Sequence, residues 1–166
     1  MEHEPSMDEI HIRPAARDDI PAIVALWRVL QETNALHDPY LTPGVGAEAW
    51  FREYLKARLD GEIGIFVAAR GVEVVGYTFG QIVQRPTLAA AECGYIADLC
   101  VRADSRGLGI GRRLFVRLRA WFLDNGVRHI EVQVVRANPA SQAFWRKMGF
   151  GEFLKTLRAE LTSNSD

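Results

Sequence analysis

The sequence predicts an α/β protein built on one mixed sheet of about six to seven strands with helices on both faces. Three observations carry this. Two amphipathic helical stretches, one following Asp18 and one covering 47–60, precede three consecutive strand-like stretches at 63–69, 72–83 and 91–101. Beyond residue 91, strand-like and helix-like stretches alternate to the end of the chain. The strand ending near Val101 hands over to the next helix through Arg106-Gly107-Leu108-Gly109-Ile110-Gly111-Arg112, a glycine-rich turn suited to a ligand that meets bare backbone.

Taken in order, residues 10–14 read as a short first strand. Asp18 is placed to cap the helix that follows, whose Ile20, Ile23, Val24, Trp27 and Leu30 repeat at helical spacing and predict one buried face. Residues 37–46, rich in Pro, Gly, Thr and Asp, form a loop, and Gly61 ends the second helix. The next two strands join at Arg70-Gly71 as a hairpin, and 84–90 is another loop. In the helix 109–125, Ile110, Leu114, Phe115, Leu118, Trp121 and Phe122 mark the buried stripe, and Asn125-Gly126 stops it. Residues 127–135 alternate as a strand. Asn138, with Pro139 at the first helical position, opens the last helix; Gly149 closes it before a final strand over 151–161.

Composition and charge narrow the function. At 166 residues, 48% hydrophobic and 25% charged, the chain is expected to be a single domain over 1–166 with one real core. No apolar run approaches the ~20 residues that cross a bilayer, and the acidic residues 1–9 lack the parts of a signal peptide, so a cytoplasmic protein that does not engage membranes is expected. Cys93 and Cys100 lie seven apart in one predicted strand, on opposite faces by parity, and are read as reduced thiols. The histidines, His3, His11, His37 and His129, show no zinc spacing, and no metal is expected. Residues 1–62 carry twelve Asp/Glu against six Lys/Arg, while 63–166 carry nine against fourteen. Seven arginines fall between Arg102 and Arg128, beside the glycine turn. A nucleic-acid groove is disfavoured by the pI near 6.4 and by the absence of interleaved basic and aromatic residues.

The glycine turn is neither of two better-known phosphate loops. A dinucleotide fingerprint counted from Gly107 needs glycine at position 112, which is Arg112, and no glycine is followed by Lys-Ser/Thr as a P-loop requires. What remains is Arg106, Gly109 and Gly111 in the pattern Arg/Gln-x-x-Gly-x-Gly, preceded by the strand Ile96-Ala97-Asp98-Leu99-Cys100-Val101. Unpaired amides at the helix start, with Arg106 and Arg112 alongside, suit a pyrophosphate. This block resembles the coenzyme A loop of the GCN5-related N-acetyltransferase (GNAT) superfamily. The later stretch Asn138-Pro139-Ala140-Ser141-Gln142-Ala143-Phe144-Trp145-Arg146-Lys147-Met148-Gly149-Phe150 resembles that superfamily's second motif, in the same order. The likeness spans roughly residues 10–157.

The resemblance implies an enzyme that moves an acetyl group from acetyl-CoA to a primary amine by direct attack. It implies a donor site formed by Leu99, Cys100 and Val101 through their backbone, by Arg106, Gly107, Gly109, Gly111 and Arg112 at the pyrophosphate, and by Asn138 and Trp145. Many members carry at position 145 a tyrosine that protonates the departing thiolate; indole N–H has no useful acidity, so Trp145 can line the thioester but not act as its acid. Ser141 is a weak stand-in, beside Cys100, Tyr40, Tyr95 and water. As bases, Asp98 and Glu92 share a strand face by parity, and Asp98 is the better placed. The acceptor, a small-molecule or peptide amine, is left to the variable segments 34–46 and 84–90. Asp38, Glu48 and Glu53 suggest a cationic one. Acetylation of protein N-termini or lysines, and a non-catalytic acyl-CoA-binding module, are the competing readings. A homodimer is compatible with the family.

Overall fold

In a computed structural model of the chain, residues 9–61 and 63–161 are described. Most of the acidic N-terminal stretch that bears on a leader peptide lies outside them. The elements are β1 (Ile10–Pro14), α1 (Ile20–His37), α2 (Ala47–Arg58), β2 (Gly64–Arg70), β3 (Glu73–Gln84), β4 (Glu92–Val101), α3 (Ile110–Asp124), β5 (Ile130–Val132) and α4 (Pro139–Lys147). They form one sheet in the order β1-β2-β3-β4-β5, antiparallel except for β5, which runs parallel to β4. No helix among the described residues is long and apolar enough to cross a membrane.

Two apolar layers flank the sheet. On one face Ile20, Ile23, Val24 and Leu26 of α1 and Phe51 and Leu55 of α2 pack on Val67, Tyr77, Phe79 and Cys100. On the other, Ile110, Leu114, Phe115, Leu118 and Phe122 of α3 and Trp145 of α4 pack on Phe66, Ala68, Val75 and Ile96. The stripe read from α3 is therefore its buried face. Glycines let α3 lie close: a Cβ at Gly94 would stand 2.7 Å from the Phe122 ring and one at Gly64 2.4 Å from Trp121.

Four expectations are corrected. The sheet has five strands, fewer than six or seven, because 151–161 pairs with nothing and is exposed throughout. Its apolar residues Phe153, Leu157 and Leu161 fall on one parity, as a strand face would, but no strand among the described residues pairs with the segment, and that face stays exposed. Arg158 instead ties this segment to the end of α1, donating to Asp38 at 3.0 Å and lying 4.2 Å from the Tyr40 ring centre. The strand expected over 127–135 contracts to Ile130–Val132, since the N–H of Val127 is taken by the Phe122 carbonyl in the turn that closes α3. The residue before α1 is Asp19 rather than Asp18. Its carboxylate is held by Arg13 at 2.6 and 2.9 Å and by the Ala16 N–H at 2.7 Å, while Asp18 is exposed.

The fourth correction concerns parity in β4. Phe79 stands opposite Asp98 but its neighbour Gly80 stands opposite Ile96, so Ala97 is an extra residue, a β-bulge. Gly94 and Ile96 face α3, whereas Asp98 and Cys100 face α1 and α2. Glu92, in step with Gly94, does not share a face with Asp98. Cys93 and Cys100 do share one, yet both are free thiols, kept apart by roughly 20 Å of extended chain.

Candidate active site

The site begins where β5 stops. Pairing between β4 and β5 covers only Gly94 with Ile130, Tyr95 with Glu131 and Ile96 with Val132, so beyond Ile96 the β4 edge opens. The Arg102 N–H donates to Val75 on β3 at 2.8 Å, and the Asp98 carbonyl accepts from Thr78 at 2.8 Å. Since backbone groups alternate along a strand, those of Leu99 and Val101 point into the gap. The Val101 carbonyl accepts from Arg106 Nε at 2.9 Å, which closes the far end of the opening. An extended chain bearing amides can pair with this edge as an added strand does.

At that end lies the glycine turn. Gly107 and Gly109 have φ of 79° and 74°, the left-handed region where a side chain is strained. Gly109 precedes α3, and the first helical bond runs from the Arg113 N–H to the Gly109 carbonyl, so the amides of Ile110, Gly111 and Arg112 carry the unpaired, positive end of the helix. A Cβ at Gly111 would come 3.2 Å from Phe144, which packs α4 against the turn. Of the arginines nearby, Arg102 is held by Glu73 and Asp104, Arg113 by the Ile10 carbonyl, and Arg117 lies over Phe66. Arg112 is exposed and has no partner among the described residues, and the Arg106 terminal nitrogens are left to meet an anion.

At the bulge, Tyr77 OH donates to Asp98 Oδ2 at 3.0 Å. Burial pushes the Asp98 carboxyl up to about 6, against a smaller opposite pull from the Tyr77 hydrogen bond. Such a group is largely ionised at neutral pH yet basic enough to take a proton. Burial also raises the Cys100 thiol to about 11, and its Sγ lies 3.6 Å from the Leu26 carbonyl, so it is an inert core residue.

The other named residues divide. Asn138 accepts from the Ser141 N–H at 3.0 Å, a helix cap, and Ser141 is half-buried in the first turn of α4. Glu92 is exposed and accepts from Gln84 at 2.9 Å on the face away from Asp98. Trp145 is 7% exposed and packs edge-on to Phe115, Phe144 and Phe150, so the structure places it in the core behind the turn. Phe144, its neighbour, touches the glycine turn, and Tyr77 touches Asp98; the sequence singled out neither. Both sit in apolar stretches and look like ordinary core until the register is known. The three acids expected to draw a cation are each occupied: Asp38 by Arg158, Glu48 by Arg28 and Arg52, Glu53 by Lys56.

An anion cradle at a helix start, continuous with an open strand edge, is how a transferase holds a donor that combines a diphosphate with an amide-bearing arm. Residues 26–150 match the model of the acetyltransferase (GNAT) family, and the chain belongs to that family. Comparison with curated proteins finds none that matches. Among solved structures, the chain is similar to a GCN5-related N-acetyltransferase from Ralstonia eutropha JMP134, with 20% identity over 92% of this chain and 99% of that one, TM-score 0.77. It is also similar to a predicted acetyltransferase with acetyl-CoA from Clostridium acetobutylicum, with 16% identity over 92% and 96%, TM-score 0.77. A third is an aminoglycoside acetyltransferase from an uncultured soil metagenomic sample, in complex with sisomicin, with 18% identity over 92% and 97%, TM-score 0.69. The protein is an N-acetyltransferase that uses acetyl-CoA. The left-handed glycines, the unpaired amides and the open Leu99–Val101 edge fit that donor.

Proposed function

We propose that the protein acetylates the primary amine of a small molecule by direct attack, with Asp98 as the base. One observation carries this: Asp98, a half-buried carboxylate on the α1 and α2 face beside the open β4 edge, has its carboxyl raised to about 6 by desolvation. Acetyl-CoA supplies an activated acetyl thioester. The amides of Ile110, Gly111 and Arg112 and the arginines Arg106 and Arg112 bind the pyrophosphate, and the backbone of Leu99 and Val101 aligns the arm, so that its acyl end lies near the bulge. Asp98, ionised at neutral pH, takes the proton that the acceptor's ammonium must lose, and Tyr77 holds the carboxylate in place. Trp145 shields the far side of the turn and moves no proton. Two free thiols are in keeping with a reducing, cytoplasmic setting. The sisomicin-bound relative supports a small-molecule acceptor.

Binding and turnover test the reading separately. Gly109→Asp, which sets a carboxylate and a strained backbone in the cradle, should weaken coenzyme A binding by roughly 100-fold or more by calorimetry while the fold survives. An unchanged affinity in the folded variant rules out the donor assignment. Release of free thiol with amines present but not without them is the expected sign of transfer.

A further inference from the structure

Beyond Phe79 the α1 and α2 face of the sheet stops being apolar. Gln81 stands opposite Tyr95 and Tyr95 opposite Glu131, so three polar side chains form a row across β3, β4 and β5. They share the Asp98 face, because their neighbours Gly80 and Gly94 point into Phe122 on the other side. Tyr54 of α2 donates to Gln81 Oε1 at 3.0 Å, and Tyr95 donates to Gln133 Oε1 at 3.1 Å. Each glutamine accepts through its oxygen, which leaves its amide N–H groups to donate outward, and the Tyr95 oxygen can still accept. All of these side chains are at least partly open to solvent, unlike the core they adjoin.

This row carries no spare charge. Arg85 grips Glu131 through two bonds of 2.8 and 2.6 Å, which cancels the one carboxylate in it. On this face, among the described residues around the site, Asp98 alone has no cationic partner. An acceptor with one ammonium group therefore finds one carboxylate, and each further ammonium brought here loses water without gaining a counter-charge. Hydroxyl groups, in contrast, find amide donors and the Tyr95 phenol as an acceptor at the spacing of adjacent strands, about 5 Å.

Resting on the acetyltransferase reading above, we infer that the acceptor is a monoamine with a neutral, hydroxyl-bearing body, of the amino-sugar type, seated on Gln81, Tyr95 and Gln133 with its amine toward Asp98. The cationic acceptor that Asp38, Glu48 and Glu53 suggested is thereby narrowed to one that carries a single ammonium group.

The test is steady-state acetylation at saturating acetyl-CoA of glucosamine, cyclohexylamine and spermidine, by the intact protein and by Tyr95→Phe and Gln133→Leu. Glucosamine should lead in kcat/KM, with spermidine lowest. Each variant should raise the KM for glucosamine about 3- to 10-fold, the worth of one hydrogen bond, with a smaller change in kcat, and should narrow the preference for glucosamine over cyclohexylamine by a like factor. A role confined to stability would not change that ratio. Spermidine leading, or a ratio unmoved in both variants, overturns this inference while leaving the acetyltransferase reading intact. Absence of turnover with all three amines, in protein that binds coenzyme A, overturns both.

Discussion

At the scale of single residues, Asp98 carries the most testable chemistry. Its carboxyl is raised by burial, so the protein prefers it protonated. That contribution to stability is complete below the ordinary carboxylate range, near 4, and is lost as pH rises through about 6. Asp98→Asn cannot ionise and should be more stable than the parent at pH 8, by about 2 kcal/mol, with the gap closing toward pH 4 in urea titrations. The parent should show an acidic limb near pH 6, and the same variant should lose that limb and at least tenfold in kcat/KM. A parent profile flat through that range counts against the base. At this scale the sequence was legible for the left-handed glycines of the turn and for the place of Arg106 beside it, while the roles proposed for these residues and for Asp98 await the tests given. It misled at Trp145, where a position in a motif stood for a place in space: the helix turns the indole into the core and turns Phe144 toward Gly111.

At the scale of elements, periodicity was enough for all four helices and for β1 to β4, because each buries a stripe against the sheet. It failed at 151–161, where an alternating run, Leu157-Arg158-Ala159-Glu160-Leu161, reads as a strand although no sheet edge takes it up. The bulge at Ala97 was also invisible, since an extra residue shows only in what the partner strand pairs with. The junction of β1 with α1 rests on Asp19, held low by its hydrogen bonds to Arg13 and then by the Ala16 N–H. A lowered carboxyl stabilises the fold above the ordinary range and loses that effect as pH falls through its own value. Arg13 is 42% exposed, so solvent screening reduces the pair's worth. Asp19→Ala should cost about 1 to 2 kcal/mol at pH 7, and the difference should shrink in acid unfolding below about pH 3. An equal cost at pH 7 and pH 2.5 would assign the effect to the lost helix-start contacts instead.

At the scale of the whole molecule, donor binding should register as stability. The cradle joins β4, α3 and the packing of α4 through Phe144, so coenzyme A bridges elements that are far apart along the chain. At a concentration 100 times its dissociation constant it should add about 2.7 kcal/mol, a rise of roughly 5–10 °C in Tm for a chain of this size. Gly109→Asp should abolish that rise. The molecule is also uneven in how it tolerates the loss of a single residue. In the connection after β3, a deletion only shortens a surface loop and should leave a folded enzyme. Removal of Ala97 puts β4 in step along its whole length. The pairs Gly80 with Ile96 and Phe79 with Asp98 then follow one another without interruption, so every side chain past that point keeps its side, and what is lost is the local bend that a bulge gives the strand beside the open edge. A chain one residue shorter there should therefore still fold, with the aim of the Asp98 carboxylate altered and transfer slowed, which urea unfolding and turnover measured side by side would check.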